Sequence, residues 1–185
     1  MAIYMTAADT AKMVRVALGE AFPGVKFSVR TSTYAGGASI DVRWVDGPNA
    51  AMVDSVAGTF SGAYFDGSID YKGSTRAMID GREVSFGADF INVHRTMSRP
   101  FMLAAKAAAV RKYGALVAGV AVLDSVSGGA YFDSGDYDAF RMVNEVAHKR
   151  TAYLCPRRSK TAGKVIYLGN DGYSQCGALG GGGGV

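Results

Sequence analysis

Apolar residues recur at helical spacing from Thr6 or Asp9 to Phe22: Ala11, Val14, Leu18 and Ala21 share one side, while Lys12 and Arg15 face away. This period predicts an amphipathic helix, which Pro23-Gly24 ends. The spacing then changes to two. Val25, Phe27, Val29 and Thr31 alternate with Lys26, Ser28, Arg30 and Ser32, and after Tyr34-Ala35-Gly36-Gly37 the residues Ile40, Val42 and Trp44 alternate with Ser39, Asp41 and Arg43. Two half-buried strands joined by a turn form an antiparallel hairpin with Phe27, Val42 and Trp44 inward.

Asp46-Gly47-Pro48 closes the hairpin and opens a helix to about Phe60, with Met52, Val53 and Val56 inward. Residues 61 to 83, rich in Gly, Ser and Asp, read as loops with short extended pieces, and Ser85 to Val93 as a strand. Ser98 with Pro100 starts a helix from Phe101 to Tyr113, Leu116 to Leu123 reads as a buried strand, and Asp136 opens a last helix to about Arg150. The order α-β-β-α-β-α-β-α predicts an α+β fold, a small, mainly antiparallel sheet with helices packed on one face. Residues 1–153 are expected to form a single domain. Residues 154–185 read as a basic, Gly-rich C-terminal extension, disordered after about Gly177.

Charge sharpens this division. Of 185 residues, 49% are hydrophobic and 19% charged, enough for an ordinary core. Residues 1 to 147 hold fourteen Lys and Arg against fifteen Asp and Glu, whereas 148 to 185 hold six against one. The net charge of +4 therefore belongs to the C-terminal segment. No apolar run approaches the roughly 20 residues that span a bilayer, and the N-terminus lacks the pattern of a signal peptide. The expected location is the cytoplasm of a host bacterial cell. Cys155 and Cys176, 21 residues apart, read as free thiols, and no metal or cofactor is expected.

One internal echo appears: Gly62-Ala63-Tyr64-Phe65-Asp66 returns as Gly129-Ala130-Tyr131-Phe132-Asp133. The run KFSVRTSTYAGGASIDVRWVDGP, then FSGAYFDGSIDY, then FGADFINVHRTMS and a helix ending RKYG, resembles the large polyvalent protein associated domain 29 family over roughly residues 10 to 150. The resemblance implies an α+β layout and an origin in phages or conjugative elements. There, long proteins carrying such domains are thought to help incoming DNA establish itself. It implies no active-site residue.

Catalytic groups are sparse. His94 with Arg95 and Asp89 reads as a hydrogen-bonded strand end, and His148 as a helix-end residue. Asp66, Asp70, Asp133 and Asp136 read as turn and capping residues rather than a cation site. The chain is therefore expected to be a non-enzymatic accessory protein of a mobile element. Its expected partner is nucleic acid or a host nucleic-acid-handling complex, met through Lys26, Arg30 and Arg43 on the hairpin and Lys149, Arg150, Arg157, Arg158, Lys160 and Lys164 near the end. The alternative is a protein–protein inhibitor of host defence, of anti-CRISPR or anti-restriction type. It would use the aromatics Tyr34, Tyr64 and Tyr131, while Phe65 and Phe132 are expected to be buried.

Overall fold

Strand β1 (Ile3–Met5) leads into helix α1 (Ala7–Ala21), whose start is set by Thr6: its hydroxyl oxygen accepts the Asp9 N–H at 3.1 Å. The hairpin follows as β2 (Ser28–Tyr34) and β3 (Gly37–Val45), with Val29 opposite Val42 and Thr31 opposite Ile40. Then come α2 (Ala50–Ala57), β4 (Ala63–Asp66), β5 (Tyr71–Ile79), β6 (Arg82–Phe86) and β7 (Phe90–Thr96). Helix α3 (Arg99–Tyr113), strands β8 (Ala121–Ser127) and β9 (Ala130–Asp133), helix α4 (Tyr137–Lys149) and strand β10 (Val165–Asn170) complete the order. The computed structural model describes residues 2–127, 130–153 and 155–173, the side chains of 124–127 and 130 excepted. The expected disorder after Gly177, and Cys176, lie outside the described residues.

The chain is α+β, with helices and mixed but mainly antiparallel sheets. The strand order is longer than the sequence pattern implies. Residues 61 to 83 hold β4, β5 and the start of β6 where loops with only short extended pieces are expected. The single strand expected at 85 to 93 is divided at Gly87-Ala88-Asp89 into β6 and β7. Leu116 to Leu123 begins as a 3-10 turn ending at Val117 and becomes strand only at Ala121.

Two compact units are present. The first comprises the chain up to Arg43, residues Ala51–His94 and the segment from Cys155 onward. Its larger sheet runs β1-β6-β5-β10, with β4 also on β5, and β1 against β6 is its parallel pair. Alternation along this sheet is clean: Ala77, Val84 and Phe86 are buried, whereas Lys72, Ser74 and Arg76 are exposed. Helix α1 packs against β2, and Phe60 meets Phe86 edge-on at 5.7 Å.

The second unit comprises Trp44–Ala50 and Arg95 to the end of the α4 region. Helices α3 and α4 pack together over the β8–β9 hairpin around Phe101, Met102, Val117, Val120, Phe132 and Val143. The WVDGP run is its organising turn. The Trp44 indole N–H donates to the carbonyls of Asp46 and Pro48 at 3.1 and 3.0 Å, and the Asp46 carboxylate accepts the N–H and hydroxyl of Ser98 at 2.8 and 2.7 Å. Arg95 donates to the carbonyls of Asp46 and Arg150 at 2.7 and 2.8 Å and lies 4.4 Å over the Phe101 ring.

The segment from Cys155, read from its sequence as a basic, Gly-rich extension, adds a strand to the larger sheet. Val165–Asn170 pairs antiparallel with β5, Val165 opposite Ile79 and Asn170 opposite Thr75, across a register shift between Tyr167 and Gly169. A strand that short acquires its identity from its partner rather than from its own pattern.

Candidate nucleic-acid interface

The basic segment is held by one acid near the end of α1. Glu20 accepts the Ser159 hydroxyl at 2.8 Å, the Thr161 N–H at 2.9 Å and the Thr161 hydroxyl at 3.1 Å, and the Arg157 N–H donates to the Ala21 carbonyl at 2.8 Å. The Thr161 N–H, helped by the Ser159 hydroxyl, holds the Glu20 carboxyl below its ordinary range. Because neutral donors occupy Glu20, Arg157, Arg158 and Lys160 form no ion pair among the described residues, and all three side chains are exposed.

Lys26, Arg30 and Arg43 are likewise exposed and outside any described ion pair. The register sets Arg30 opposite Asp41 and Arg43 opposite Ser28, which puts both arginines on one face of the hairpin. Lys26 follows Ala21 by five residues and so lies within at most about 17 Å of the residue whose carbonyl holds Arg157.

The other three basic candidates are engaged. Lys149 donates to Glu145 at 2.6 Å and Lys164 to Asp80 at 3.2 Å, and Arg150 ends α4 with its carbonyl on Arg95 and its guanidinium 5.9 Å over Phe101. Their charge is visible in the sequence, but local acids or packing take them up.

The aromatic candidates separate in the same way. Tyr34 is exposed at the hairpin turn; its hydroxyl donates to Asp89 at 3.2 Å, and Lys72 donates to the same oxygen at 2.9 Å. That bond to Asp89 raises the Lys72 pKa. Tyr131 belongs to the core of the second unit, only 7% exposed, its hydroxyl donating to the Arg95 carbonyl at 3.3 Å and accepting the Met97 N–H at 3.4 Å. It is not available as a surface anchor. Phe132 is buried as expected, but Phe65 is 55% exposed, because its register opposite Lys72 turns it to the open face of the sheet.

Tyr64 belongs to a cluster that the sequence alone does not announce. Its hydroxyl donates to Asp171 at 2.8 Å, the Tyr71 hydroxyl to the other oxygen at 2.9 Å, and the Ser74 N–H also to Asp171 at 2.8 Å. The Tyr71 ring stands 6.3 Å from that of Tyr64 and 5.8 Å from that of Tyr173. Gly73 makes the arrangement possible: a Cβ there would stand 2.4 Å from the Tyr64 ring, which crosses the strand at that point. Burial pulls the Asp171 carboxyl upward, but the Ser74 N–H and the two tyrosine hydroxyls outweigh it and hold the group below its usual range. Tyr71 is raised in turn by its bond to Asp171. The faint signals for this cluster were the second half of GAYFD and the Asn170-Asp171-Gly172 turn, but residues about a hundred positions apart meet only in the fold.

Beside the hairpin turn lies a cleft of about 650 Å³ lined by Thr6, Thr31, Ser85, Gly37 and Asp89. His94, Arg95 and Asp89 are not brought together as an acid–base group. His94 Nε2 stands 3.3 Å from Asp41, Asp89 meets Lys72 and Tyr34, and Arg95 serves the second unit. The four aspartates divide as well: Asp66 accepts from Ser68, Asp136 caps α4, and Asp66 and Asp70 fall in one unit while Asp133 and Asp136 fall in the other. No group of three or more potential ligands that could hold a metal is present among the described residues. Among them, too, no helix is long and apolar enough to cross a membrane.

The α+β layout, the strand-turn-strand carrying YAGG and WVDGP, and the first unit's sheet together define a small α+β domain with a hairpin ahead of its main sheet. The chain belongs to the large polyvalent protein associated domain 29 family, whose model matches residues 5–98. That stretch runs from the end of β1 to the Ser98 cap of α3, shorter than the 10 to 150 expected from the resemblance. It leaves out the basic segment, Asp171 and Tyr173. No curated protein and no solved structure matches the chain.

Proposed function

We propose that the chain is a non-enzymatic accessory protein of a phage or related mobile element that binds nucleic acid, alone or within a host complex, through its first unit. One observation carries this reading: Lys26, Arg30, Arg43, Arg157, Arg158 and Lys160 all lie in that unit, exposed and outside any described ion pair. The unit's acids are meanwhile largely occupied, Glu20 by Ser159 and Thr161, Asp41 by His94, Asp89 by Lys72 and Asp171 by the tyrosines. Free cations beside committed acids present a surface to which phosphates add without first displacing a partner.

The test is fluorescence anisotropy of labelled DNA and RNA between 50 and 200 mM salt. Each phosphate neutralised contributes about −0.7 to −0.9 to the slope of log affinity against log salt. Replacing Arg157, Arg158 and Lys160 together with alanine should flatten the slope by about 2 to 3 on that scale. Point substitutions are the right instrument, since cutting the chain after Leu154 would also remove β10 and the partners of Glu20. Absence of any salt-sensitive binding by the intact chain would overturn the reading.

The second reading, a protein–protein inhibitor of host defence, draws on a different observation: Tyr4, Phe65 and Ile166 share the open face of the larger sheet. Binding through that face would resist salt and fail on Phe65→Asp.

A further inference from the structure

The tyrosine cluster and the basic segment lie at opposite ends of one strand. Lys164 immediately precedes β10 and Arg157, Arg158 and Lys160 stand a few residues before it, while Asp171 and Tyr173 follow it directly. At about 3.3 Å per residue the strand separates the two by about 20 Å. The register puts Tyr167 opposite Ala77 and Tyr64 opposite Gly73, so with Tyr71 they share the face of β5 that is buried at Ala77; toward Tyr71 that face opens, Tyr64 and Tyr71 being half-buried and Tyr167 42% exposed. Tyr173, 77% exposed, adds its ring against Tyr71.

The hydroxyls of Tyr64 and Tyr71 are both held by Asp171, whose carboxylate accepts from four donors counting the N–H groups of Ser74 and Tyr173. Rings so tethered are set in orientation before any ligand arrives, which lowers the ordering cost of binding. Occupied by donors, Asp171 does not offer a free anion to the ligand.

We propose that this ledge stacks unpaired bases, so that the nucleic acid taken by the first unit is single-stranded. Its backbone follows the cations before β10, and its bases rest on Tyr173 and Tyr71 after it. The inference rests on the reading above and narrows it. Duplex DNA keeps its base faces inside the helix, where a surface tyrosine cannot reach them. A strand with free bases can use the cations and the rings together, and stacking of this kind tolerates any base.

The experiment compares a labelled 12-nucleotide single strand with the matching duplex on the full chain. Tyr173→Ala should weaken the single strand by about ten-fold, as loss of one base–aromatic stack does, and leave the duplex unchanged. Tyr173→Trp should restore single-strand affinity, and Tyr137→Ala, which removes an equally exposed tyrosine from α4, should change neither. The alanine triple at Arg157, Arg158 and Lys160 should weaken both forms. If Tyr173→Ala leaves the single strand unaffected, or weakens duplex equally, stacking is wrong while nucleic-acid binding stands. If the intact chain binds neither form, both readings fall together. Self-association lost on Tyr173→Ala, without nucleic-acid binding, would assign the ledge to an interface between copies and overturn both.

Discussion

The tetrapeptide Ala-Tyr-Phe-Asp occurs once in each unit, as β4 and as β9, and the two copies are buried in opposite ways. In β9 the tyrosine and phenylalanine are 7% and 2% exposed, and the aspartate lies at the surface. In β4 the aspartate is buried, the tyrosine half-buried and the phenylalanine open. Identical residues thus specify a strand in both places, but what surrounds the strand decides which side chains leave water. Helices α3 and α4 close over β9, whereas β4 joins an edge of a sheet with one bare face. Charge divides less cleanly: Arg95, Lys149 and Arg150 of the second unit are spent on its own carbonyls, rings and acids, whereas the first unit pairs Lys12, Lys72, Arg76 and Lys164 with acids and leaves Lys26, Arg30, Arg43, Arg157, Arg158 and Lys160 outward.

The largest expected effect separates the two phenylalanines. Phe132→Ala should cost about 3–5 kcal/mol, the range for truncating a buried aromatic, and Phe65→Ala about 0.5 kcal/mol or less, as for surface positions. Urea midpoints of the two variants measure the difference. Equal losses would mean that β4's outer face is covered in solution.

The two tyrosines should differ less. Tyr131→Phe leaves the Met97 N–H without its partner in the core and should cost about 1–3 kcal/mol, whereas Tyr64→Phe removes one of several donors to Asp171 at a half-exposed site and should cost about 0.5–1.5 kcal/mol. The Tyr64 variant leaves the Asp171 charge shared among fewer donors and should raise the Tyr71 pKa further, which ultraviolet titration reads.

The smallest effect concerns pH. Glu20 is depressed in the folded chain, so its contribution is complete above the ordinary glutamate pKa and is lost as pH falls through the lower folded value. Acid below about pH 4 should therefore release residues 159–161 while the second unit's core persists. Amide exchange at Thr161 should accelerate there ahead of Val143, and Glu20→Gln should reproduce part of the change at neutral pH. Simultaneous loss of protection at both positions would remove Glu20 as the anchor.

How much of this was legible in the sequence depends on whether the cause was local. The hairpin was readable because Ile40, Val42 and Trp44 alternate without interruption. Helices α1, α3 and α4 were readable because Thr6, Ser98 and Asp136 cap an apolar period. Strand β5 was not readable, since Gly73 reads as a loop residue until the Tyr64 ring is laid across it. Strand β10 was hidden by the basic run before it and owes its form to β5, some ninety residues earlier. Of the candidate interface, the exposed cations were visible as charge, but the loss of Lys149, Arg150 and Lys164 to local partners was not. Nor was the Asp171 cluster, whose members approach only through pairing across the chain.

The placement of β10 also bears on the order in which the molecule can be made. Residues 95–153 follow the 44–50 turn in synthesis and are complete while the first unit still lacks its last strand, which is synthesised only by residue 170. Synthesis at about 5–20 residues per second therefore gives the helical insert a head start of a second or more. Until then β5 has an uncovered edge between Thr75 and Ile79, and pairing across so long a sequence separation is a slow step of folding. The vulnerable period of a nascent chain thus falls on the larger sheet, and a partner that binds that sheet meets it whole only once β10 has paired with β5.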